Sequence, residues 1–242
     1  MENLVSRRQA LLMGAAGLMA PAFTNTANAA NAPVLVELFT SQGCSSCPPA
    51  DELAGALMKD PNIYVVSLNV DYWDYLGWPD TLAKPEYTKR QYAYAAARGD
   101  GRVYTPQMVV NGLDHAVGSN RGSVEEKIAE ARQKPLVVPL KLSLSNKEIS
   151  IEIPVSSPVE EATLWLMAVE ANVEQKIGRG ENGGSTVIYH NVVRNLVPAT
   201  MWKGEAYKGS WMRDTIMTKN TKSIIAVLQS GQAGEVLGLA KV

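Results

Sequence analysis

Strand-like and helix-like patterns alternate along the first half of the chain. Short apolar runs rich in β-branched residues predict strands, and apolar positions at helical spacing predict helices. In chain order, the predicted elements are strand 33–40, a helix from Pro48, strand 63–70, helix 85–98, a strand from Pro106, a hairpin turn at Asn111-Gly112 and helix 124–133. Ser123 and Glu126 match a capping box at the start of the last helix. This order predicts a mixed α/β sheet covered by helices.

Beyond Pro135 the helical spacing stops, and runs that alternate or are continuously apolar follow one another. These predicted strands are 140–144, 149–153, 162–171, 185–197, 223–229 and 235–242. Turn-forming clusters rich in glycine separate them, notably 178–184 and 230–234. Several short strands at this spacing are typical of a small antiparallel β-sandwich. We therefore expect two domains, an α/β domain at 30–135 and a mainly antiparallel β-sandwich at 136–242.

The first 29 residues have the features of an export signal. Arg7 and Arg8 precede an apolar stretch, and Ala27-Asn28-Ala29 supplies the small-residue pattern at which a signal peptidase cuts. The adjacent arginines before a weakly apolar run favour the twin-arginine route, although a general secretory signal that carries two arginines is the alternative. A periplasmic or secreted protein is expected, in a compartment where a disulfide persists.

Composition and charge exclude several classes of function. The 242 residues are 46% hydrophobic and 19% charged, which is typical of a folded protein rather than a disordered or coiled-coil chain. Lys and Arg number 23 against 24 Asp and Glu, without a basic block. We therefore expect no nucleic-acid partner, and no membrane span in the mature chain. No bound cofactor is predicted either.

The two cysteines, Cys44 and Cys47, form a C-x-x-C motif between the first predicted strand and the first predicted helix. A helix N-terminus favours the thiolate, and cysteines at such positions have pKa values of about 3.5–7.5 against about 8.5 for a free thiol. By these rules Cys44 is the exposed nucleophile and Cys47 the more buried resolving thiol. A purely structural disulfide is the alternative, but a loop this short constrains the unfolded chain little.

A four-cysteine zinc site is excluded because the chain has only two cysteines and two histidines. Copper(I) remains a second hypothesis, because soft thiolates select it and imidazole also suits copper. Cys44 and Cys47 would bind it, with His115 as a third ligand. A surface histidine on a hairpin is the plainer interpretation of His115. His190 has no partner cysteine nearby in the sequence and is expected to be a strand residue.

The motifs together resemble a known family. Four segments, FTSQGCSSCPPAD, NVDYWDYLGW, YTPQMVVNG and GENGGSTVIYHNVVR, are similar to the exported thioredoxin-like family catalogued as domain of unknown function 1223. The resemblance implies a thioredoxin-like fold for residues 30–135. It also implies a cis peptide bond at Thr105-Pro106, where the proline would pack against the disulfide and Thr105 would present its backbone to a substrate.

The same resemblance assigns a role to an acid. Thioredoxin has a buried acid in its first strand that accepts the proton of the resolving thiol, and Glu37 is the nearest counterpart here. Its alternative is a solvent-facing strand position. Ser45 and Ser46 bring no positive charge between the cysteines, so thiolate stabilisation is expected from the helix end and the serine hydroxyls.

The expected function is that of an exported thiol–disulfide oxidoreductase whose partners are the thiols or disulfides of exported proteins. The direction of electron flow stays open. Two alternatives remain, a copper-delivery module and a non-catalytic interaction protein whose disulfide is inert. Aromatic residues at 72–78 follow the second predicted strand, where they would line a substrate groove or cap the core.

Overall fold

Helices and strands alternate through the first half of the protein, and strands dominate the second half. The computed structural model describes residues 32–156 and 161–242, so the predicted leader at 1–29 lies outside the described residues. The strands are β1 (Val34–Thr40), β2 (Ile63–Asn69), β3 (Gln107–Val110), β4 (Asp114–Val117), β5 (Lys141–Leu144), β6 (Glu148–Ile153), β7 (Ala162–Lys176), β8 (Thr186–Trp202), β9 (Tyr207–Met212), β10 (Ser223–Ser230) and β11 (Val236–Lys241). The helices are α1 (Pro48–Leu57), α2 (Pro85–Arg98), α3 (Arg121–Arg132) and α4 (Arg213–Ile216), with a 3-10 turn at Asp74–Leu76. Within the described ranges, no helix is both long and apolar enough to cross a membrane.

The helix α3 starts earlier than its sequence pattern predicts. Asn120 is its N-cap, and the Asn120 side chain accepts the backbone N–H of Ser123 at 3.1 Å. The capping box predicted at Ser123 is therefore wrong, because an asparagine three residues earlier satisfies the free amide first. The hairpin expected at Asn111-Gly112 is present between β3 and β4, and both turn residues have the positive φ that such a turn requires.

The protein is a mixed α/β structure with one large sheet and one small sheet. The large sheet has eight strands in the order β11-β10-β7-β8-β2-β1-β3-β4. Strands β1 and β2 are parallel, whereas β3 runs antiparallel to β1. The small sheet is antiparallel, with the order β5-β6-β9.

The strands of the second half do not form a separate sandwich, which differs from the expected division at residue 135. Strand β8 lies beside β2, with Val192 opposite Ser67, so both halves share the eight-stranded sheet. Side chains reinforce this junction. The Ser67 hydroxyl donates to the His190 carbonyl at 2.8 Å, and the Asn191 amide donates to the Val65 carbonyl at 2.9 Å. Such long-range pairing leaves no periodic signal in the sequence.

The protein has three layers, with the large sheet in the middle and hydrophobic clusters packed on each of its faces. Helix α2 covers one face of the large sheet, where its residues Tyr87 and Tyr94 pack on strands from both halves. On the opposite face, α1 and α3 cover β1 and β3, and the small sheet covers β7 and β10. A sandwich-like contact between two sheets therefore exists, but one of its sheets extends through the whole molecule.

The topology brings several chain segments to the edge where β1 ends. Thr40 pairs with Asn69, so β1 and β2 end together. Because β3 is antiparallel to β1 and pairs Gln107 with Phe39, the segment preceding β3 reaches the same edge. The loop 41–47, the segment after β2 and Thr105-Pro106 are consequently neighbours.

A two-stranded arm extends from the large sheet. Strand β7 pairs with β10 only as far as Val169, and β8 pairs with β2 at Val192, so the parts of β7 and β8 farther out pair with each other alone. The β7–β8 register shifts near Val169, and Asn191 has a φ of +46°. The arm (170–192) then crosses α1, where a Cβ added to Gly55 would overlap the imidazole ring of His190. Its end (178–184), hereafter the tip, lies beside the cysteine loop.

Candidate functional site: a covered disulfide at a helix start

Cys44 and Cys47 form a disulfide immediately before α1. Their Cα atoms are 5.4 Å apart, and Cys47 is the N-cap residue of the helix. The Cys47 carbonyl accepts the N–H groups of Ala50 at 2.8 Å and Asp51 at 3.1 Å. The disulfide thus lies at the positive end of the helix dipole, which favours a thiolate after reduction.

The local donors to a Cys44 thiolate are fewer than at an ordinary helix start. Pro48 and Pro49 carry no N–H, and the next two amides are already bonded to the Cys47 carbonyl. The Ser46 hydroxyl lies 3.4 Å from Cys44 Sγ and is the nearest side-chain donor. A serine hydroxyl and the positive end of the helix dipole are therefore what this site would offer a thiolate after reduction.

Thr105 and Pro106 lie next to the disulfide loop, and their peptide bond is cis. A Cβ added to Gly118 would lie 3.0 Å from Ala50 Cβ and 3.2 Å from Pro106 Cβ, so Pro106 packs close to the first turn of α1. Trp73 connects the two segments. Its indole N–H donates to Thr105 Oγ1 at 2.7 Å, and its Cβ lies beside Gly43.

Both cysteines are buried, whereas the sequence predicts that Cys44 is exposed. Cys44 is 1% exposed and Cys47 is 0% exposed, whereas Ser45 and Ser46 are exposed. The tip of the arm explains the difference. The Asn182 amide donates to the carbonyls of Gln42 and Cys44, both at 2.9 Å. The Ser45 N–H donates to the Glu181 carboxylate at 3.3 Å.

Glu37 is buried, but not beside the cysteines. Its side chain accepts from Arg90 Nε at 2.6 Å and from the Tyr94 hydroxyl, both on α2. Its neighbours in β1 on either side, Val36 and Leu38, pack instead against α1. Since successive strand residues point to opposite faces, Glu37 faces away from α1. The solvent-facing alternative is wrong, and the expected contact with the resolving thiol is not made.

Asp51, an acid in the first turn of α1, is buried on the same side of β1 as the cysteines, and the sequence-based expectations did not include it. It lies four residues after Cys47, which places both on one face of α1. The residue is 1% exposed, and within the described ranges neither carboxylate oxygen has a hydrogen-bond partner. Burial raises the pKa of Asp51 well above its ordinary value; the nearby Thr40 hydroxyl lowers it, and the charge of Asp80 raises it further.

Asp80 forms a second buried acid behind the disulfide loop. Its Oδ2 accepts the Gln42 N–H at 2.8 Å and the Asn69 amide at 2.9 Å. Burial raises the pKa of Asp80, and these hydrogen bonds lower it by less. Tyr189 of the arm is buried against both acids, and its own pKa is raised chiefly by burial. The segment after β2 and the arm thus enclose the acids from two sides.

The aromatic segment after β2 frames the disulfide instead of forming an open groove. The Trp78 indole N–H donates to Gln42 Oε1 at 2.8 Å, and the Tyr72 hydroxyl donates to Gln91 Oε1 at 3.1 Å. With the Trp73–Thr105 bond, three of the four aromatic side chains are held by polar contacts. Tyr75 is the exception, being 78% exposed.

His115 makes contacts that occupy both of its ring nitrogens. Nδ1 lies 2.7 Å from the Tyr104 hydroxyl, and Nε2 lies 3.1 Å from Asp100 Oδ2. Burial lowers the pKa of His115, as does the charge of Arg98. Within residues 32–156 and 161–242, no group of three His, Cys, Asp or Glu side chains is arranged to hold a metal ion. The geometry therefore does not favour a copper site at His115. His190 is a strand residue as expected, and its Nδ1 lies 2.8 Å from Asn172 Oδ1.

Comparison with solved structures finds the same architecture in other proteins. The crystal structure of an Agrobacterium tumefaciens protein shares 29% sequence identity and superposes with a TM-score of 0.74, covering 86% of this chain and 93% of that one. HBP35 of Porphyromonas gingivalis is 12% identical with a TM-score of 0.60, covering 88% of this chain and 75% of that one. At that identity the second likeness concerns the fold alone.

Comparison by sequence points to one family. No curated protein matches the chain. The profile of the protein family of unknown function DUF1223 matches residues 35–229, which include the cysteine loop, Thr105-Pro106 and the whole arm. The chain therefore belongs to the DUF1223 family.

Proposed function

We propose that this protein is an exported thiol–disulfide oxidoreductase with a thioredoxin-like site. One observation carries the proposal: the Cys44–Cys47 disulfide lies at the start of a ten-residue helix, with cis-Pro106 packed close to the same helix turn. This arrangement supports the thioredoxin likeness inferred from the motifs. The export signal expected at 1–29 supports a periplasmic or secreted location, where such a pair has substrates.

The proposed reaction exchanges one disulfide for another. In the reduced protein, the Cys44 thiolate attacks a disulfide of the partner and releases one partner sulfur as a thiolate. The Cys47 thiol then loses its proton and attacks Cys44 Sγ, which releases the second partner sulfur. The partner disulfide gains two electrons, and the Cys44–Cys47 pair loses them. The reverse sequence oxidises a partner dithiol.

Asp51 is the proposed proton acceptor in the second step. It shares a helix face with Cys47 and has no competing hydrogen bond within the described residues. Because burial raises its pKa, the carboxylate is a stronger base than an exposed aspartate carboxylate, which favours transfer of the Cys47 proton to it. We therefore assign to Asp51 on α1 the proton-accepting role that the resemblance implies for Glu37.

A non-catalytic protein is the second candidate, and the burial of both cysteines favours it. A disulfide that is 0–1% exposed at each cysteine is protected from partners in the observed conformation. In that case the bond stabilises the cysteine loop, and binding occurs elsewhere on the surface. The two candidates predict different behaviour when one cysteine is removed.

The test compares two single variants, Cys47→Ala and Cys44→Ala, exported and alkylated in parallel. Under the oxidoreductase proposal, Cys47→Ala accumulates covalent adducts with exported proteins because nothing resolves the mixed disulfide. Cys44→Ala forms almost none, since in the proposed reaction Cys47 attacks only Cys44 Sγ and not the partner. Non-reducing gels followed by reduction identify the adducts. Equally negligible adducts from both variants would refute the proposal and leave the non-catalytic candidate.

A further inference from the structure

The geometry points to a displaceable cover: the tip (178–184) of the arm occupies the surface on which an extended, cysteine-bearing polypeptide docks. The identity of this occupant rests on the proposed function, whereas the cover itself rests on the observed contacts. Among the described residues, every hydrogen bond between the tip and the cysteine loop uses a backbone group of that loop. These are the groups that a docking polypeptide would use.

The side chains of the tip take the place of a partner's backbone. Asn182 supplies one amide to two carbonyls, those of Gln42 and Cys44, and Glu181 supplies an acceptor to the Ser45 N–H. An extended chain offers the same donors and acceptors at every residue, whatever its sequence. A partner that displaces the tip can therefore replace its hydrogen bonds.

A further backbone position is available for docking beside this surface. Within the described residues, the N–H and C=O of Thr105 make no hydrogen bond. Thr105 is only half-buried, so a partner can reach these groups. Its side chain is fixed by Trp73, which also contacts Gly43 at the cysteine loop. A polypeptide segment placed over the disulfide would thus find unpaired backbone groups at Thr105 and, after displacement of the tip, at the Gln42 carbonyl and the Ser45 N–H.

The tip is held in a way that allows it to lift while its base stays attached. Ile177, just before the tip, is fully buried in an apolar cluster with Leu82 and Tyr189. The seven tip residues are all exposed except Asn182, which is half-buried. Gly180 and Gly184 have φ values of +78° and +87°, which give the segment a backbone that only glycine adopts readily. The tip is held to the cysteine loop by hydrogen bonds.

One apolar contact limits how the tip can move. A Cβ added to Gly178 would lie 2.8 Å from the Trp78 ring, so the start of the tip lies directly against that indole. Trp78 is bonded in turn to Gln42. Displacement of the tip therefore uncovers Trp78 together with the disulfide, and the emission of this tryptophan reports the opening.

The experiment measures how fast a small water-soluble phosphine reduces the disulfide in Asn182→Ala and in the wild-type protein. Loss of two hydrogen bonds should favour the uncovered state and accelerate reduction about tenfold. Asn146→Ala, in the exposed turn between β5 and β6, is the matched control and should leave the rate unchanged. Glu181→Gln keeps an acceptor for the Ser45 N–H and should change the rate far less than Asn182→Ala.

Hydrogen exchange separates opening of the cover from loss of the fold. We expect the Ser45 amide to exchange faster in Asn182→Ala, with the amides of α1 as protected as in the wild type. An unchanged reduction rate would overturn the inference, and so would an acceleration matched by equal loss of protection in α1. Because the phosphine is not a protein partner, faster reduction without trapped adducts would refute the proposed function and leave the cover standing.

Discussion

Asp51 illustrates how a single buried residue links stability to chemistry. Its carboxylate is 1% exposed and unpaired within the described residues, so ionisation is opposed by desolvation and by the charge of Asp80. In the unfolded chain the same group is hydrated and ionises at its ordinary pKa. The folded protein therefore binds this proton more tightly than the unfolded chain does.

The pH dependence of stability follows from that difference. Between the ordinary pKa of about 4 and the raised folded pKa, the native state binds more protons, so stability falls as pH rises. Asp51→Asn removes this effect. We expect the variant to be more stable than the wild type at pH 7, by about 1–3 kcal/mol. Urea unfolding at several pH values measures the difference, which should shrink as the pH approaches 4.

Glu126→Gln serves as the control for this residue, because Glu126 is an exposed acid on a different helix, α3. Its stability should follow the wild-type curve at each pH. An Asp51→Asn variant that is less stable than the wild type at pH 7, with a deficit that shrinks as the pH falls, would show that the carboxylate is stabilised in the fold, against this account.

At the scale of elements, a buried ion pair connects β1, α2 and β10. Arg90 donates to Glu37 at 2.6 Å, to the Tyr94 hydroxyl at 2.7 Å and to Gln229 Oε1 at 3.0 Å. The guanidinium also stacks over the Trp165 ring, 5.1 Å from its centroid. One side chain therefore holds together strands from both halves of the chain and the helix that covers them.

Removal of one partner should be more damaging than removal of both. Arg90→Met leaves the Glu37 carboxylate buried without its cation, so we expect a loss of about 3–5 kcal/mol in the free energy of unfolding. The double variant Glu37→Gln with Arg90→Met should lose less than the single one. Urea unfolding gives both values. Arg121→Met, in an exposed pair with Glu125, is the control and should cost little.

The single variant Glu37→Gln gives the cost of that change in the presence of Arg90. If the same change lowered the stability of Arg90→Met by an equal amount, the two side chains would be energetically independent. That outcome would contradict the ion-pair account. The cysteine pair should be unaffected in every variant, since Glu37 faces away from α1.

The sequence predicts the bounds of β1 and α2 well, but it does not predict which face of the sheet the Glu37 side chain occupies. Periodicity locates β1 and α2 to within a residue, because strand and helix patterns differ clearly there. All seven residues of β1 are buried, so polar and apolar positions do not distinguish its two faces. Asp51 could have been found by its helical spacing from Cys47, but its burial depends on Tyr189 of the arm, which is 138 positions away along the chain.

At the scale of the whole molecule, the shared sheet makes the two halves interdependent. The core under α2 contains Leu35 and Phe39 from β1 together with Val169, Ile225 and Val227 from the second half. Periodicity could not show this, because the pairing of β8 with β2 joins residues 125 positions apart along the chain. The boundary expected at residue 135 divides two kinds of sequence pattern. It does not divide the hydrophobic core under α2, which contains residues from both sides of it.

A fragment that ends at the expected boundary should not fold alone. Residues 32–135 keep α2 but lose Val169, Ile225 and Val227 from the core beneath it, and each large apolar side chain left uncovered costs about 1.5–3 kcal/mol. We expect an amide NMR spectrum with poor dispersion from this fragment and a dispersed spectrum from residues 32–242. A well-dispersed, cooperatively melting fragment would show that the first half is an independent domain.

The equilibrium reduction potential of the Cys44–Cys47 pair tests the central proposal most directly. Trp73 and Trp78 lie beside the cysteine loop, so their fluorescence can follow the titration in glutathione buffers. A redox-active pair should have a potential between about −120 and −300 mV, the range that disulfide oxidoreductases span. A value well below about −300 mV would contradict the account, because a bond that resists the glutathione pool to that degree is structural.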